Sequence, residues 1–83
     1  MQILSIPYSE DILIATGSTP KQLEQEFRLL LAAKLFEVGR LSLGKAAEIA
    51  GLPKPRFMDD LGRLGVPIIN LDDDQIAAEL RDD

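Results

Sequence analysis

The spacing of apolar residues changes several times along this chain, and each change predicts an element. Residues 1–6 alternate loosely, with Ile3, Leu4 and Ile6 apolar, and stop at Pro7, which is the pattern of a short strand. A strand needs a neighbour for its backbone groups. Val66 to Leu71 is the other segment of strand character, restricted by Pro67 to an edge or an end. Either the two pair within the chain, or one pairs with its copy in a dimer. Ser9 is placed to cap a short helix with Glu10 and Asp11 in its first turn, and Gly17 to close it, although Ile12, Leu13 and Ile14 also suit a strand.

Thr19 to Gly39 carries the clearest helical signature. Thr19 with Gln22 forms a capping box, Pro20 takes the first helical position, and Gly39 stands where the helix should stop. Leu23, Phe27, Leu30, Leu31, Leu35 and Val38 keep helical spacing. Leu29, Ala32, Ala33 and Phe36 widen that stripe until the second half is apolar nearly all round. Such a helix is either the centre of the core, or a dimer interface, or both.

Ser42 then caps a short helix, Leu43 to Ala50, followed by the turn Gly51-Leu52-Pro53 and a helix from about Lys54 to Leu64 that Gly65 stops. Two helices joined by a short Gly-containing turn describe a helix-turn-helix, here about residues 42–64. Ala46, Ala47 and Ala50 are small enough for close crossing, Gly51 suits the left-handed turn, and Leu52 and Phe57 fill the angle between the helices. Leu61 and Leu64 continue the buried face, while Asp60 occupies a position where an aliphatic residue is usual. The expected arrangement is a steep crossing that leaves Lys54 and Arg56 free at an outer corner. A last short helix, about Asp72 to Leu80, presents Ile76, Ala77 and Leu80. The expected fold is a single mainly α domain over 1–83, with short N-terminal and C-terminal strand segments and an acidic C-terminal segment, 66–83.

Composition narrows the function. At 83 residues the chain buries about 60–65% of its unfolded surface, which leaves a single copy marginal. With no cysteine and no histidine, disulfides, thiolate chemistry, imidazole bases and ordinary zinc sites are excluded, so a homodimer is the expected source of extra stability. No long apolar run and no basic-then-apolar leader is present, which predicts a cytoplasmic protein with no membrane contact. Asp59 with Asp60, and Asp72 to Asp74, read as caps and dipole complements. No phosphate loop or nucleophile and base set accompanies them, so neither enzyme activity, a cofactor, a metal nor a small-molecule substrate is expected.

The net charge of −5 is unevenly divided. From Pro20 to Gly65 eight basic residues face six acidic ones, whereas from Val66 onward Asp72, Asp73, Asp74, Glu79, Asp82 and Asp83 face Arg81 alone. The mildly basic middle offers Arg40, Lys45, Lys54, Arg56 and Arg63 as contacts to duplex DNA, with Lys54 and Arg56 at the end of the recognition helix that meets base edges. The acidic end, with Asp72, Asp73, Asp74, Ile76 and Leu80, suits a basic protein partner.

The phrase Glu37-Val38-Gly39-Arg40-Leu41-Ser42, followed by Gly44-Lys45-Ala46-Ala47-Glu48-Ile49-Ala50-Gly51, resembles the small prokaryotic proteins of uncharacterised protein family 0175. With Ser9 to Phe27 upstream and the chain as far as Leu80, the resemblance covers nearly the whole sequence. It implies an antitoxin-like adaptor: a dimer that holds operator DNA through the helix-turn-helix and a small nuclease-type toxin through its C-terminal segment. Members commonly carry a polar or acidic residue where Pro55 stands here. Pro55 with Pro53 stiffens the start of the recognition helix. The alternative expectation is a protein-interaction module that binds no DNA, its helix-turn-helix serving as a dimer scaffold.

Overall fold

The computed structural model describes residues 1–68, and among them it shows four helices and no strand: α1 (Glu10–Thr16), α2 (Pro20–Glu37), α3 (Leu43–Ala50) and α4 (Lys54–Arg63). The expected helix at 72–80 lies outside the described residues. Neither expected strand forms among the described ones, because no other described segment pairs its backbone with residues 1–8 to complete a ladder. Val66 and Ile68 pack against the helical core instead of pairing with the N-terminus. The remainder of that second predicted strand, 69–71, is outside the described range.

Local chemistry explains the helix starts. At α2 the Gln22 amide donates to Thr19 Oγ1 at 3.2 Å while the Thr19 amide donates to Gln22 Oε1 at 3.0 Å, satisfying two donors that a helix start leaves open. At α3 the Lys45 amide donates to Ser42 Oγ at 3.2 Å. Ser9 occupies the capping position of α1 but makes no side-chain cap, and α1 buries none of its residues.

Helix α2 is the centre, packing on both α1 and α3. Its Ala32 and Ala33 meet Leu43, Ala46, Ala47 and Ala50 of α3, and Phe57 and Leu61 of α4 complete the cluster. Phe57 and Leu61 are fully buried, as the helix-turn-helix pattern requires. The alanines of α3 serve α2 more than α4, since α3 packs far more extensively on α2. Leu64, the C-cap of α4, keeps helical backbone angles but is exposed rather than buried.

The turn between α3 and α4 is held from outside. Gly51 adopts φ 72°, its amide donating to the Glu48 carbonyl and the Leu52 amide to that of Ala47, both at 3.1 Å. Arg28 of α2 reaches across and donates from Nε to the Ile49 carbonyl at 2.8 Å. A guanidinium at this helix end both satisfies an orphan acceptor and complements the dipole. A Cβ on Gly51 would stand 2.9 Å from Arg28 Nη2, so the residue is demanded twice, by its backbone angle and by that neighbour.

Lys54 departs from the expected outer corner. It is 8% exposed, with its stem covered by the chain, whereas Arg56 two residues on is open to solvent. A lysine can bury its methylene stem while its ammonium keeps a polar environment.

Two stability measurements follow from this packing. Gly51→Ala should lower the unfolding free energy by about 1–2 kcal/mol for the left-handed backbone alone. In an Arg28→Ala background the added cost should be smaller, as the steric part is removed; strictly additive costs in denaturant unfolding would show that the two residues are uncoupled. Lys54→Ala should destabilise by about 1 kcal/mol or more, while Arg56→Ala stays within about 0.5 kcal/mol. Equal midpoints for those two variants would place both side chains on the surface.

Candidate nucleic-acid interface

Helices α3 and α4, with the loop entering α3, carry the five predicted DNA-contacting side chains, and the structure distributes them unequally. Arg40 is exposed in the loop after α2, and its side chain forms no ion pair among the described residues. Lys45 projects from the first turn of α3, its side chain 71% exposed, with Nζ 3.5 Å from Glu48. Arg56 and Arg63 project from α4. Lys54, as described, is covered.

The exposed cations on both helices are matched by carboxylates one turn away. Arg63 pairs with Asp59 at 2.8 Å and with Asp60 at 3.4 Å, and Arg56 stands 4.0 Å from Asp60. Asp60 is thus the hub of the α4 surface, largely sheltered between two guanidinium groups. This explains how an acid fits where the helix-turn-helix pattern favours an aliphatic residue. It sits at the edge of the core and its charge is answered from the same helix.

These pairs govern what the surface can do. The exposed pairs Lys45–Glu48 and Arg63–Asp59 contribute roughly 0.3–0.5 kcal/mol each, so a phosphate can take the place of those carboxylates at small cost. While they remain intact, the outer face of α4 is neutral: two arginines balance two aspartates. The pairing was overlooked in the sequence, where Lys45 and Glu48, Arg56 and Asp60, and Asp59 and Arg63 already stand three or four residues apart. Arg28 was likewise missed as the residue that ties α2 to the turn. Its contact joins residues 21 positions apart and has no local spacing to reveal it.

The predicted partner contacts Asp72, Asp73, Asp74, Ile76 and Leu80 lie outside the described residues. Among the described residues no group of three acidic side chains is gathered in a way that would hold a metal ion. No helix among them is long and apolar enough to cross a membrane.

No solved structure matches this chain. Among curated proteins, one from Archaeoglobus fulgidus, described as a UPF0175 protein, is 43% identical over 73 residues, covering 88% of this chain and 80% of its own length. A second UPF0175 protein, from Aeropyrum pernix, is 47% identical over 49 residues, 59% of this chain and 55% of its own. The model of that family matches residues 1–82, so this chain belongs to the Uncharacterised protein family UPF0175.

Proposed function

We propose that this protein is an antitoxin-like DNA-binding adaptor that acts as a dimer in the cytoplasm and regulates transcription by holding operator DNA. The α3–turn–α4 unit carries the reading. Its start is capped by Ser42, its turn is made by Gly51, and its interior is filled by Phe57 and Leu61. Arg40, Lys45, Arg56 and Arg63 remain on the outside. Arg56 lies in the first turn of α4, the part of a recognition helix that meets base edges. Lys54 is left out of this set, because its side chain is covered.

The toxin-binding half of the reading rests on the sequence, where Asp72, Asp73 and Asp74 precede Ile76 and Leu80. An acidic, partly apolar segment complements the basic cleft of a small nuclease.

A specific observation favours a second reading, a protein-interaction module that uses the helix-turn-helix only as a scaffold. The cations of α3 and α4 are answered by carboxylates on their own helices, and a neutral face attracts phosphate weakly.

Salt dependence separates the two. If the four exposed cations of each of two chains engage phosphate, log K against log salt should fall with a slope near about −7; if only Arg40 of each chain engages, the slope is about −2. A gel shift on the DNA upstream of the protein's own gene should therefore weaken steeply with salt, and Arg56→Ala should weaken it further at every salt concentration. Unchanged mobility at low salt would remove the DNA reading and leave the scaffold.

A further inference from the structure

Among the ion pairs of the helix-turn-helix, those of Asp60 stand apart. Its side chain is 13% exposed, against 71% for Glu48 and 58% for Asp59. One of its oxygens, Oδ1, faces two guanidinium groups, 4.0 Å from Arg56 Nε and 3.4 Å from Arg63 Nη1. Arg63 has a second carboxylate, Asp59, at 2.8 Å. For Arg56, Asp60 is the ion-pair partner among the described residues. Helix stability does not account for this arrangement. Arg56 stands in the first turn of α4 and Asp60 in the last, each at the end that the helix dipole disfavours. A cation four residues before an acid is also the weaker order for such a pair.

We infer that Asp60 is a built-in competitor for phosphate, a carboxylate that occupies Arg56 and Arg63 and so lowers the affinity of this surface for duplex DNA. The inference deepens the DNA-binding reading and rests on it for the identity of the ligand. Neither the dimer nor the partner protein is needed for it.

The difference from the other pairs lies in what becomes of the carboxylate once it is displaced. When a phosphate takes Lys45, or takes Arg63 from Asp59, the carboxylate left behind is exposed and its charge is solvated. That exchange is nearly even. When a phosphate draws Arg56 and Arg63 away together, Asp60 is left sheltered with its charge unanswered, and a sheltered charge without a partner costs far more than an exposed one. An aspartate has a single methylene and cannot follow a departing guanidinium outward. The cost falls on the DNA complex alone, because in the unliganded protein the charge is answered. An aliphatic residue, usual at this place in the helix-turn-helix pattern, would leave Arg56 open to phosphate.

The distances also rank the two aspartates. Removing the Asp60 charge leaves Arg56 without a carboxylate and Arg63 still held by Asp59, whereas removing the Asp59 charge leaves both arginines beside Asp60. One substitution releases an arginine and the other releases none. Removing both charges releases two.

The test is binding of the full chain, across a salt series, to the DNA upstream of its own gene and to a short duplex of arbitrary sequence. Asp60→Asn should bind at least about threefold more tightly than the wild type at low salt, with a slope of log K against log salt steeper by about 0.9 per chain. Asp59→Asn should match Glu10→Gln, a change on α1 that alters the net charge equally and so measures the long-range effect alone. The double variant Asp59→Asn with Asp60→Asn should steepen the slope by about 1.8 per chain. Arg56→Ala should cost more affinity in the Asp60→Asn background than in the wild type. If circular dichroism shows that Asp60→Asn has lost its helices, Asp60→Leu carries the same test with the aliphatic residue of the pattern in place. Equal affinities for Asp60→Asn, Asp59→Asn and Glu10→Gln, weaker binding by a folded Asp60 variant, or loss of the fold in both Asp60 variants would each overturn the proposal. A wild type that shifts its upstream DNA while the Asp60 variants bind no better sinks the competitor alone. A wild type that shifts no DNA beside Asp60 variants that do bind duplex sinks the operator reading alone, and no binding by any of the proteins sinks both.

Discussion

The close approach of α2 and α3 is the contact on which the remaining arrangement depends. Ala32 and Ala33 on one helix and Ala46, Ala47 and Ala50 on the other are almost fully buried, and side chains this small let the two backbones come near enough to exclude water without large residues between them. Phe57 and Leu61 then close the end of that seam from α4. Arg28 secures the arrangement from the polar side, because its bond to the Ile49 carbonyl ties α2 to the end of α3 where the turn begins. Enlarging any of these alanines would push the helices apart and carry the turn, α4 and every exposed cation with them.

A seam of alanines has a consequence for the outer surface. It buries little area per residue, so many of the large apolar side chains of this short chain find no place inside. They appear instead on the N-terminal segment, on α1, on part of α2, and at Ile49 and Leu64. The same economy that makes the helix-turn-helix compact leaves exposed apolar side chains elsewhere among the described residues. Core and surface are thus two sides of one packing decision.

Charge is handled locally. Lys45 with Glu48, Arg56 with Asp60, and Arg63 with both Asp59 and Asp60 are pairs within single helices. The exposed ones, Lys45–Glu48 and Arg63–Asp59, do not decide the fold, since exposed pairs contribute little. They decide how strongly the surface can attract a polyanion, and they make that attraction conditional on a competing ligand displacing a carboxylate.

Much of this was legible in the sequence because the relevant physics is local. The Thr19 and Gln22 box, the Ser42 cap, the turn at Gly51 and the ends of α3 each depend on residues a few positions apart, and the structure places them where the pattern indicates. Phe57 and Leu61 as core residues follow from helical spacing. Tertiary structure alone decided which face of α2 is covered, that Lys54 is covered rather than exposed, that Leu64 is outside, and that residues 1–6 find no strand beside them among the described residues. Those outcomes depend on which distant segments arrive together, as in the Arg28 contact with Ile49. Short-range periodicity records what each segment can present, and only the assembled chain determines what is there to meet it.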